Sequence, residues 1–196
     1  MFLVAGLGNP GEEYALSPHN LGFLALDRLA ERYGIRISRR DSRALVGVGE
    51  VDGQAVMLAK PQTYMNLSGT SLKPLMEKHA IGTDRLIVVY DELDLPWLAL
   101  RIKPKGSAAG HNGMKSVIGS LGTSEIVRVR MGIHPGRAIE SGKDFVLAPV
   151  RRSQREELEE FTGYAADAVR SIIAEGVEKA MTKFNRRAPG SNIEDA

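Results

Sequence analysis

Four short turns, each flanked by glycine or proline and each carrying an asparagine, hold the side chains best suited to chemistry. They read GLGNPG (6–11), PHN (18–20), MNLSG (65–69) and GHNG (110–113). An amide side chain offers two donors and one acceptor without charge, so it suits a neutral carbonyl or a ribose edge. A single such turn has an ordinary backbone explanation, because asparagine is common in turns. Four turns, two of them with asparagine directly after histidine, indicate a polar pocket assembled from several loops.

A carboxylate and an imidazole in this set favour general-base chemistry. Asp91 directly follows the apolar segment LIVVY (86–90), and in open α/β sheets the carboxyl ends of strands are where ligands bind. His19 lies near a predicted helix start, reached from the first strand through GLGNPG. A carboxylate within hydrogen-bond reach would fix the imidazole tautomer. Taken alone, Asp91 also fits an ordinary turn residue, and His19 an ordinary first-turn helix residue.

Three other chemistries have less support. GLGNPG matches the dinucleotide pattern G-x-G-x-x-G, and Arg39 and Arg40 could read a 2′-phosphate, but the next helix is delayed to Pro18 instead of opening within the glycines. No acidic residue ends a second strand at the expected distance either. The four histidines form no i, i+4 pair, there is no cysteine, and no G-x-S-x-G occurs. We therefore expect no cofactor, no metal and no serine nucleophile.

Length and composition indicate one globular domain outside the membrane. The chain has 196 residues, 43% hydrophobic and 26% charged, and no apolar run approaches the ~20 residues of a membrane span. The absence of cysteine fits a reducing cytoplasm, so a cytoplasmic location is expected. The net charge of +2 says little, but four cations surround the GHNG turn with no acid between the first and the last: Arg101, Lys103, Lys105 and Lys115. They fit either a solvated loop or a nucleic-acid backbone.

Hydrophobic periodicity predicts a single α/β domain around a twisted, mixed (partly parallel) central sheet flanked by helices. Strands are expected at 2–5, 44–51, 54–60, 86–90, 98–102 and 126–133, with Asp52–Gly53 as a hairpin turn. Helices are expected at 18–33, around 72–79 and at 112–121. A last long helix should open with a capping box, Ser153 and Glu156, and bend or end at Gly176. The domain should span 1–187, and 188–196 should fray as a tail.

The motifs taken together resemble the bacterial-type peptidyl-tRNA hydrolase family. The segments GLGNPGEEYALSPHNLGF, KPQTYMNLSGTS, VVYDELDLP, GSAAGHNGMKS, VRVRMGI and DFVLAPV occur in the order typical of that family. The resemblance extends to about Arg187. It implies an enzyme that hydrolyses the ester between a peptide and the terminal ribose of tRNA, without cofactor or metal, and recycles tRNA from peptides dropped by the ribosome.

The resemblance also implies roles for individual residues. His19 matches the catalytic base, Asp91 its orienting acid, and Asn9 the residue that separates N-blocked from free aminoacyl-tRNA. Positions that contact substrate or tRNA, or line the site in relatives, are Tyr14, Tyr64, Asn66, Asn112, Met65, Asn20 and His111. Lys103 and Lys105 are the best candidates for contacts with tRNA phosphates. The partner would be the acceptor stem and CCA end of peptidyl-tRNA, bound by a monomer.

Three segments depart from the family pattern. Pro18 stands where relatives usually carry arginine, and Trp97-Leu98-Ala99 replaces a segment that often contains glycine. Ser107-Ala108-Ala109 thins a loop that is usually richer in glycine. One alternative function remains open: some plant relatives use this scaffold as RNA-binding splicing cofactors without hydrolase activity.

Overall fold

The computed structural model describes residues 1–185, so the predicted tail at 188–196 lies outside the described residues. The described chain forms seven strands and six α-helices. The strands are β1 (Phe2–Gly6), β2 (Arg39–Asp41), β3 (Ala44–Val51), β4 (Gln54–Pro61), β5 (Leu86–Pro96), β6 (Leu100–Lys103) and β7 (Val127–His134). The helices are α1 (Leu21–Tyr33), α2 (Ser68–Lys78), α3 (Asn112–Leu121), α4 (Gly142–Leu147), α5 (Arg155–Glu175) and α6 (Val177–Phe184).

One mixed sheet with the strand order β2-β3-β4-β1-β5-β7-β6 forms the centre of the molecule. Strands β4, β1, β5 and β7 run parallel, whereas β3 and β6 are antiparallel to their neighbours. Helices α1, α5 and α6 cover one face, and α2 and α3 cover the other, each over an apolar core. The predicted α/β fold with a partly parallel sheet is therefore confirmed. The carboxyl ends of the four parallel strands share one edge.

Most predicted elements form close to their expected bounds. The hairpin turns through Asp52 and Gly53, which both have positive φ (49° and 82°), as the Asp-Gly signal requires. Helix α3 has the predicted bounds. Strand β5 is longer than predicted, because the polar segment after Tyr90 continues to pair with β7 through a register shift between Glu92 and Pro96.

The predicted capping box at Ser153 is wrong. Ser153 lies inside a 3₁₀ turn (Arg152–Gln154), and α5 begins at Arg155 after a Gln154 cap with no side-chain hydrogen bond. The helix expected at 18–33 is divided into a 3₁₀ turn (Pro18–Asn20) and α1, with Pro18 at the first position of the turn. Strand β2 and helix α4 were not predicted, because three and six residues are too short to show a period.

Two of the segments expected to depart from the family pattern, at 97–99 and 107–109, contain a residue in the backbone conformation that glycine favours. Leu98 has φ 70° and Ala109 has φ 49°, in the left-handed region that costs other residues about 1–2 kcal/mol. Contacts with α5 hold the first turn in place. The Trp97 ring meets Phe161 edge-on, and Trp97 Nε1 donates to Glu157 at 2.8 Å. Leu98 itself is buried in the core.

Candidate active site

A cleft of about 680 Å³ opens at the carboxyl edge of the parallel strands. Loops after β1 and β4 form it together with the carboxyl-terminal half of β5, the loop before α3 and α4. Nine of the residues predicted from the sequence line it: Asn9, Tyr14, His19, Tyr64, Met65, Asn66, Asp91, His111 and Asn112. The four asparagine turns therefore do converge on one pocket, as their repetition indicated.

His19 and Asp91 form a hydrogen-bonded pair at the floor of the cleft. His19 Nδ1 lies 2.9 Å from each carboxylate oxygen of Asp91. Asp91 is 1% exposed, and burial alone would raise the pKa of its carboxyl group. The charges of His19 and His111, and their hydrogen bonds, outweigh that effect and hold the pKa of Asp91 below its usual range. An ionised Asp91 requires the proton of a neutral His19 to be on Nδ1, which leaves the lone pair on Nε2.

Two glycines bring the His19 turn down onto the sheet. A Cβ atom at Gly22, in the first turn of α1, would lie 2.3 Å from the carbonyl oxygen of Val89 in β5. A Cβ atom at Gly6 would lie 2.3 Å from the carbonyl oxygen of Gly22. Neither contact is possible for a residue with a side chain. The start of α1 therefore packs directly on β1 and β5, within reach of Asp91.

His111 is a second imidazole on the same carboxylate. Its Nε2 lies 2.9 Å from Asp91 Oδ1, and its Nδ1 accepts a hydrogen bond from the Met114 backbone N–H at 3.2 Å. Because Nδ1 accepts, the ring proton must be on Nε2, where it is donated to Asp91. Both nitrogens are thus engaged, and the ring packs between His19 and Tyr90, with centroids 4.9 and 4.8 Å away. His111 orients Asp91 and caps α3, whereas His19 keeps one nitrogen available.

Asn9 is held so that its amide donors remain available. Its Oδ1 accepts the Met65 backbone N–H at 2.8 Å, which assigns the oxygen and leaves the NH₂ group for the cleft. Asn20 clamps the backbone of Asn9, accepting from its N–H (2.8 Å) and donating to its carbonyl (3.0 Å). Asn20 is 3% exposed and lies behind the cleft wall, so the structure places it as a support of Asn9 instead of in the lining.

Two further amides stand at the rim. Asn66 lies in the 3₁₀ turn Met65–Leu67, and Asn112 is the first residue of α3. Both are exposed, and no side-chain hydrogen bond to a described residue is found for either. Tyr64, 63% exposed, stands beside them. The rim thus offers amide donors and an aromatic face to a ligand.

The loop between β6 and α3 is fixed by a buried arginine. Arg128 is 1% exposed and donates to the backbone carbonyls of Gly106 and Ser107 in this loop, and to that of Ser124 before β7. The loop leads to Ala109 and on into the cleft wall. Arg128 therefore holds in place a loop that contains fewer glycines than the family pattern.

A basic ribbon, defined here as Arg101, Lys103, Arg128 and Arg130, runs along one face of β6 and β7. The strand register places Arg101 opposite Arg130 and Lys103 opposite Arg128. The alternate residues of β6 are buried in the core on the other face. Like charges directly across a sheet are unfavourable. Glu92 neutralises Arg130 through a buried pair at 2.7 Å, but Lys103 and the neighbouring Lys105 are exposed. Both lysines lie outside the cleft lining.

The sequence did not indicate the apolar side of the cleft. Leu93, Val146 and Leu147 line it together with Lys143, Glu92 and Asp94. Helix α4, which supplies three of these residues, packs on the turn that carries His19. The sequence segments DELDLP and DFVLAPV contain most of these residues, but they are too short to show a periodicity that would place them in the cleft.

Comparisons with known proteins agree with this geometry. The family model described as peptidyl-tRNA hydrolase matches residues 3–192. The chain belongs to the peptidyl-tRNA hydrolase family. A peptidyl-tRNA hydrolase from Solibacter usitatus is 75% identical over the full length of both chains, and one from Koribacter versatilis is 49% identical over 95% of this chain and 94% of its own. The crystal structure of peptidyl-tRNA hydrolase from Acinetobacter baumannii covers 97% of each chain at 31% identity, with a TM-score of 0.89.

Family membership confirms the resemblance read from the motifs. The matched peptidyl-tRNA hydrolases align along almost the whole chain, which does not favour the splicing-cofactor alternative. The dinucleotide-binding alternative is unsupported as well, because α1 begins at Leu21, well past the glycines of residues 6–11. No helix in the described part of the chain is long and apolar enough to span a membrane.

Proposed function

We propose that this chain hydrolyses the ester that joins a peptide to the terminal ribose of tRNA, with His19 as the general base. The observation that carries the proposal is the His19–Asp91 pair, whose geometry leaves Nε2 of His19 without a hydrogen-bond partner among the described residues. Family membership supplies the substrate class. In this role the chain recycles tRNA from prematurely released peptidyl-tRNA.

In the proposed reaction, His19 Nε2 takes a proton from a water molecule as the water oxygen attacks the ester carbonyl. Asp91 stabilises the resulting imidazolium through Nδ1–H. The carbonyl oxygen becomes an oxyanion, and we expect the amide donors of Asn66 and Asn112, which line the cleft, to stabilise it. The carbon–oxygen bond to the ribose then breaks, and the imidazolium returns its proton to the leaving 3′ oxygen. The products are a peptide carboxylate and tRNA with a free hydroxyl.

Asn9 supports discrimination between N-blocked and free aminoacyl-tRNA. Because its oxygen is occupied by Met65 N–H, it presents only donors to the cleft. An N-blocked substrate offers a peptide carbonyl to those donors. A free aminoacyl group offers an ammonium, which has no acceptor and would leave the buried donors unpaired.

Contacts outside the cleft account for tRNA affinity. Lys103 and Lys105 are exposed at the end of the basic ribbon, where phosphates would be bound without regard to sequence. Tyr14 and Tyr64, at the cleft wall, are suited to contact the CCA end. All these groups come from one chain, so we propose a monomer, acting in the cytoplasm and requiring no cofactor or catalytic metal.

A two-substrate assay tests the proposal. The protein is incubated with N-acetyl-aminoacyl-tRNA and, separately, with free aminoacyl-tRNA. We expect cleavage of the blocked species alone. Binding without cleavage would instead support an RNA-binding role, and equal cleavage of both would remove the role of Asn9.

The substitution Asn9→Asp sharpens this test. Aspartate keeps the acceptor for Met65 N–H but replaces the NH₂ donors with a carboxylate oxygen, which attracts an ammonium and repels a carbonyl. The ratio of kcat/KM for blocked over free substrate should fall by about 10²-fold or more. Asn9→Ala is the matched control, since it should slow the blocked substrate without favouring the free one. An unchanged ratio in Asn9→Asp would contradict the assignment.

A further inference from the structure

His19, Asp91 and His111 form a donor set that the proposed reaction uses only for hydrogen bonding. One nitrogen of each imidazole and one oxygen of the carboxylate all lie within 4.8 Å of one another. Asp91 Oδ1 is 2.9 Å from both His19 Nδ1 and His111 Nε2. No sequence motif identifies this donor set, because His19 and His111 lie 72 and 20 residues from Asp91 along the chain.

Two imidazoles and a carboxylate are ligands that Zn²⁺ and Co²⁺ prefer, and Mg²⁺ does not. Zinc–nitrogen and zinc–oxygen bonds of 2.0–2.2 Å place tetrahedral ligands roughly 3.3 Å apart. To reach that spacing, the distances from Asp91 Oδ1 to His19 Nδ1 and to His111 Nε2 must lengthen by a few tenths of an ångström. The two histidine nitrogens must approach each other by at most about 1.5 Å. Both histidines stand just before helices, in a 3₁₀ turn and at a cap. The cleft above the set leaves room for a fourth ligand from solvent.

We propose that these three residues form an inhibitory site for a divalent transition metal such as Zn²⁺. The metal takes the place of the two protons now shared with Asp91. With Nδ1 of His19 bound to the metal, the ring proton moves through solvent to Nε2. The base then has no lone pair for water, so inhibition follows from tautomer control even while the cleft remains open to tRNA.

The tautomer of His111 limits the affinity of this site. Metal binding at Nε2 shifts its proton to Nδ1, which can no longer accept the Met114 N–H. Loss of that helix cap lowers the metal affinity by roughly fivefold. Metal binding should therefore also be detectable at the Met114 amide, which loses its hydrogen-bond acceptor.

The proposal refers to the proposed catalytic residues, but its test does not need their activity. The full-length protein without tRNA is titrated with Co²⁺, whose visible absorption reports low-coordinate nitrogen and oxygen ligation. We expect one equivalent to bind, an absorption band to appear, the Met114 amide resonance to shift, and Zn²⁺ to displace the band. Millimolar Mg²⁺ should not displace the band.

Variants locate the metal. His111→Asn keeps an acceptor for Met114 N–H but removes a ligand, and should weaken Co²⁺ binding at least about tenfold, since even partners that only support ligands matter that much. Asp91→Asn, a second ligand variant, should do the same. The control is His79→Gln, which alters a separate histidine–aspartate pair with Asp41 at 2.9 Å and should leave the band intact.

Three outcomes would overturn the proposal: no band in the wild type, a band that both folded ligand variants retain, or a band lost in His79→Gln. Zn²⁺ inhibition of ester hydrolysis, reversed by a chelator, should be as strong in His79→Gln as in the wild type and weaker in His111→Asn. A band without hydrolysis in any assay would leave the metal site intact and count against the proposed function instead.

Discussion

At the scale of single residues, hydrogen-bond direction determines which groups can react. His111 and His19 contact the same carboxylate, yet only His19 keeps a nitrogen without a described partner. Asn9 and Asn20 adjoin each other, yet only Asn9 presents donors to the cleft. The family resemblance implied the leading role for His19 and for Asn9, and the hydrogen-bond pattern gives a physical reason for that difference. The decisive contacts, from Met65 N–H and Met114 N–H, are made by backbone groups, which a sequence pattern cannot assign.

The orienting role of Asp91 predicts a specific pH behaviour. The pKa of its carboxyl group lies below the usual range, so the carboxylate stays ionised as the pH falls towards that range. Asp91→Asn should therefore lower kcat by roughly 10³- to 10⁴-fold at every pH at which the wild type is active, because the wrong His19 tautomer is favoured. The kcat–pH profiles of both proteins check this. If the kcat of Asp91→Asn instead recovered as the pH changed, the loss of activity would be due to a titration and not to the His19 tautomer.

At the scale of elements, the sequence predicted what is periodic and missed what is short. Strands β1, β3 and β4 and helix α3 follow from apolar spacing and turn residues. Helix α4 forms part of the cleft, but its six residues show no period. The predicted capping box failed because Ser153 and its neighbours form a 3₁₀ turn that delays α5 to Arg155. Local hydrogen bonding there competed successfully with the cap pattern.

The loop before α3 offers a stability test at the same scale. Ala109 has φ 49°, so Ala109→Gly relieves a left-handed conformation that costs about 1–2 kcal/mol, against about 0.4–1 kcal/mol of added freedom in the unfolded chain. The free energy of unfolding should stay level or rise by up to about 1.6 kcal/mol. Its neighbour Ala108 is the control, because it has no positive φ and packs on the core, so Ala108→Gly should destabilise by about 0.5–1 kcal/mol. Urea denaturation measures both. Equal losses of unfolding free energy in the two variants would show that the backbone of Ala109 is not strained.

At the scale of the whole molecule, the parallel strands bring distant turns to one edge of the sheet. The basic ribbon runs from Arg130, which pairs with Glu92 near that edge, towards the amino-terminal end of β7. The family resemblance predicted nine of the lining residues, because each stands in one of the motifs that carry the resemblance. It could not predict the alternation that gathers four cations on one face, since that depends on the register of β6 against β7. Because Lys103 and Lys105 lie outside the cleft lining, we expect tRNA affinity to be separable from ester chemistry.

That separation predicts how salt affects binding. The double variant Lys103→Ala/Lys105→Ala should bind tRNA more weakly, and the slope of log affinity against log salt should fall in magnitude by about 1 to 2, as expected for two lost phosphate contacts. The matched control removes two exposed arginines from the opposite edge of the sheet, Arg39→Ala/Arg40→Ala, and should leave the slope unchanged. Filter binding across a salt series measures both. Identical slopes in the lysine variant and the wild type would place the tRNA elsewhere.

The central claim is that His19 deprotonates the attacking water. The most direct measurement is the single-turnover rate of N-acetyl-aminoacyl-tRNA hydrolysis by the wild type and by His19→Gln, with tRNA affinity measured in parallel. The account predicts a rate lower by about 10²- to 10⁴-fold and an affinity within a few-fold of the wild type. A His19→Gln protein that cleaves the ester at close to the wild-type rate would contradict it.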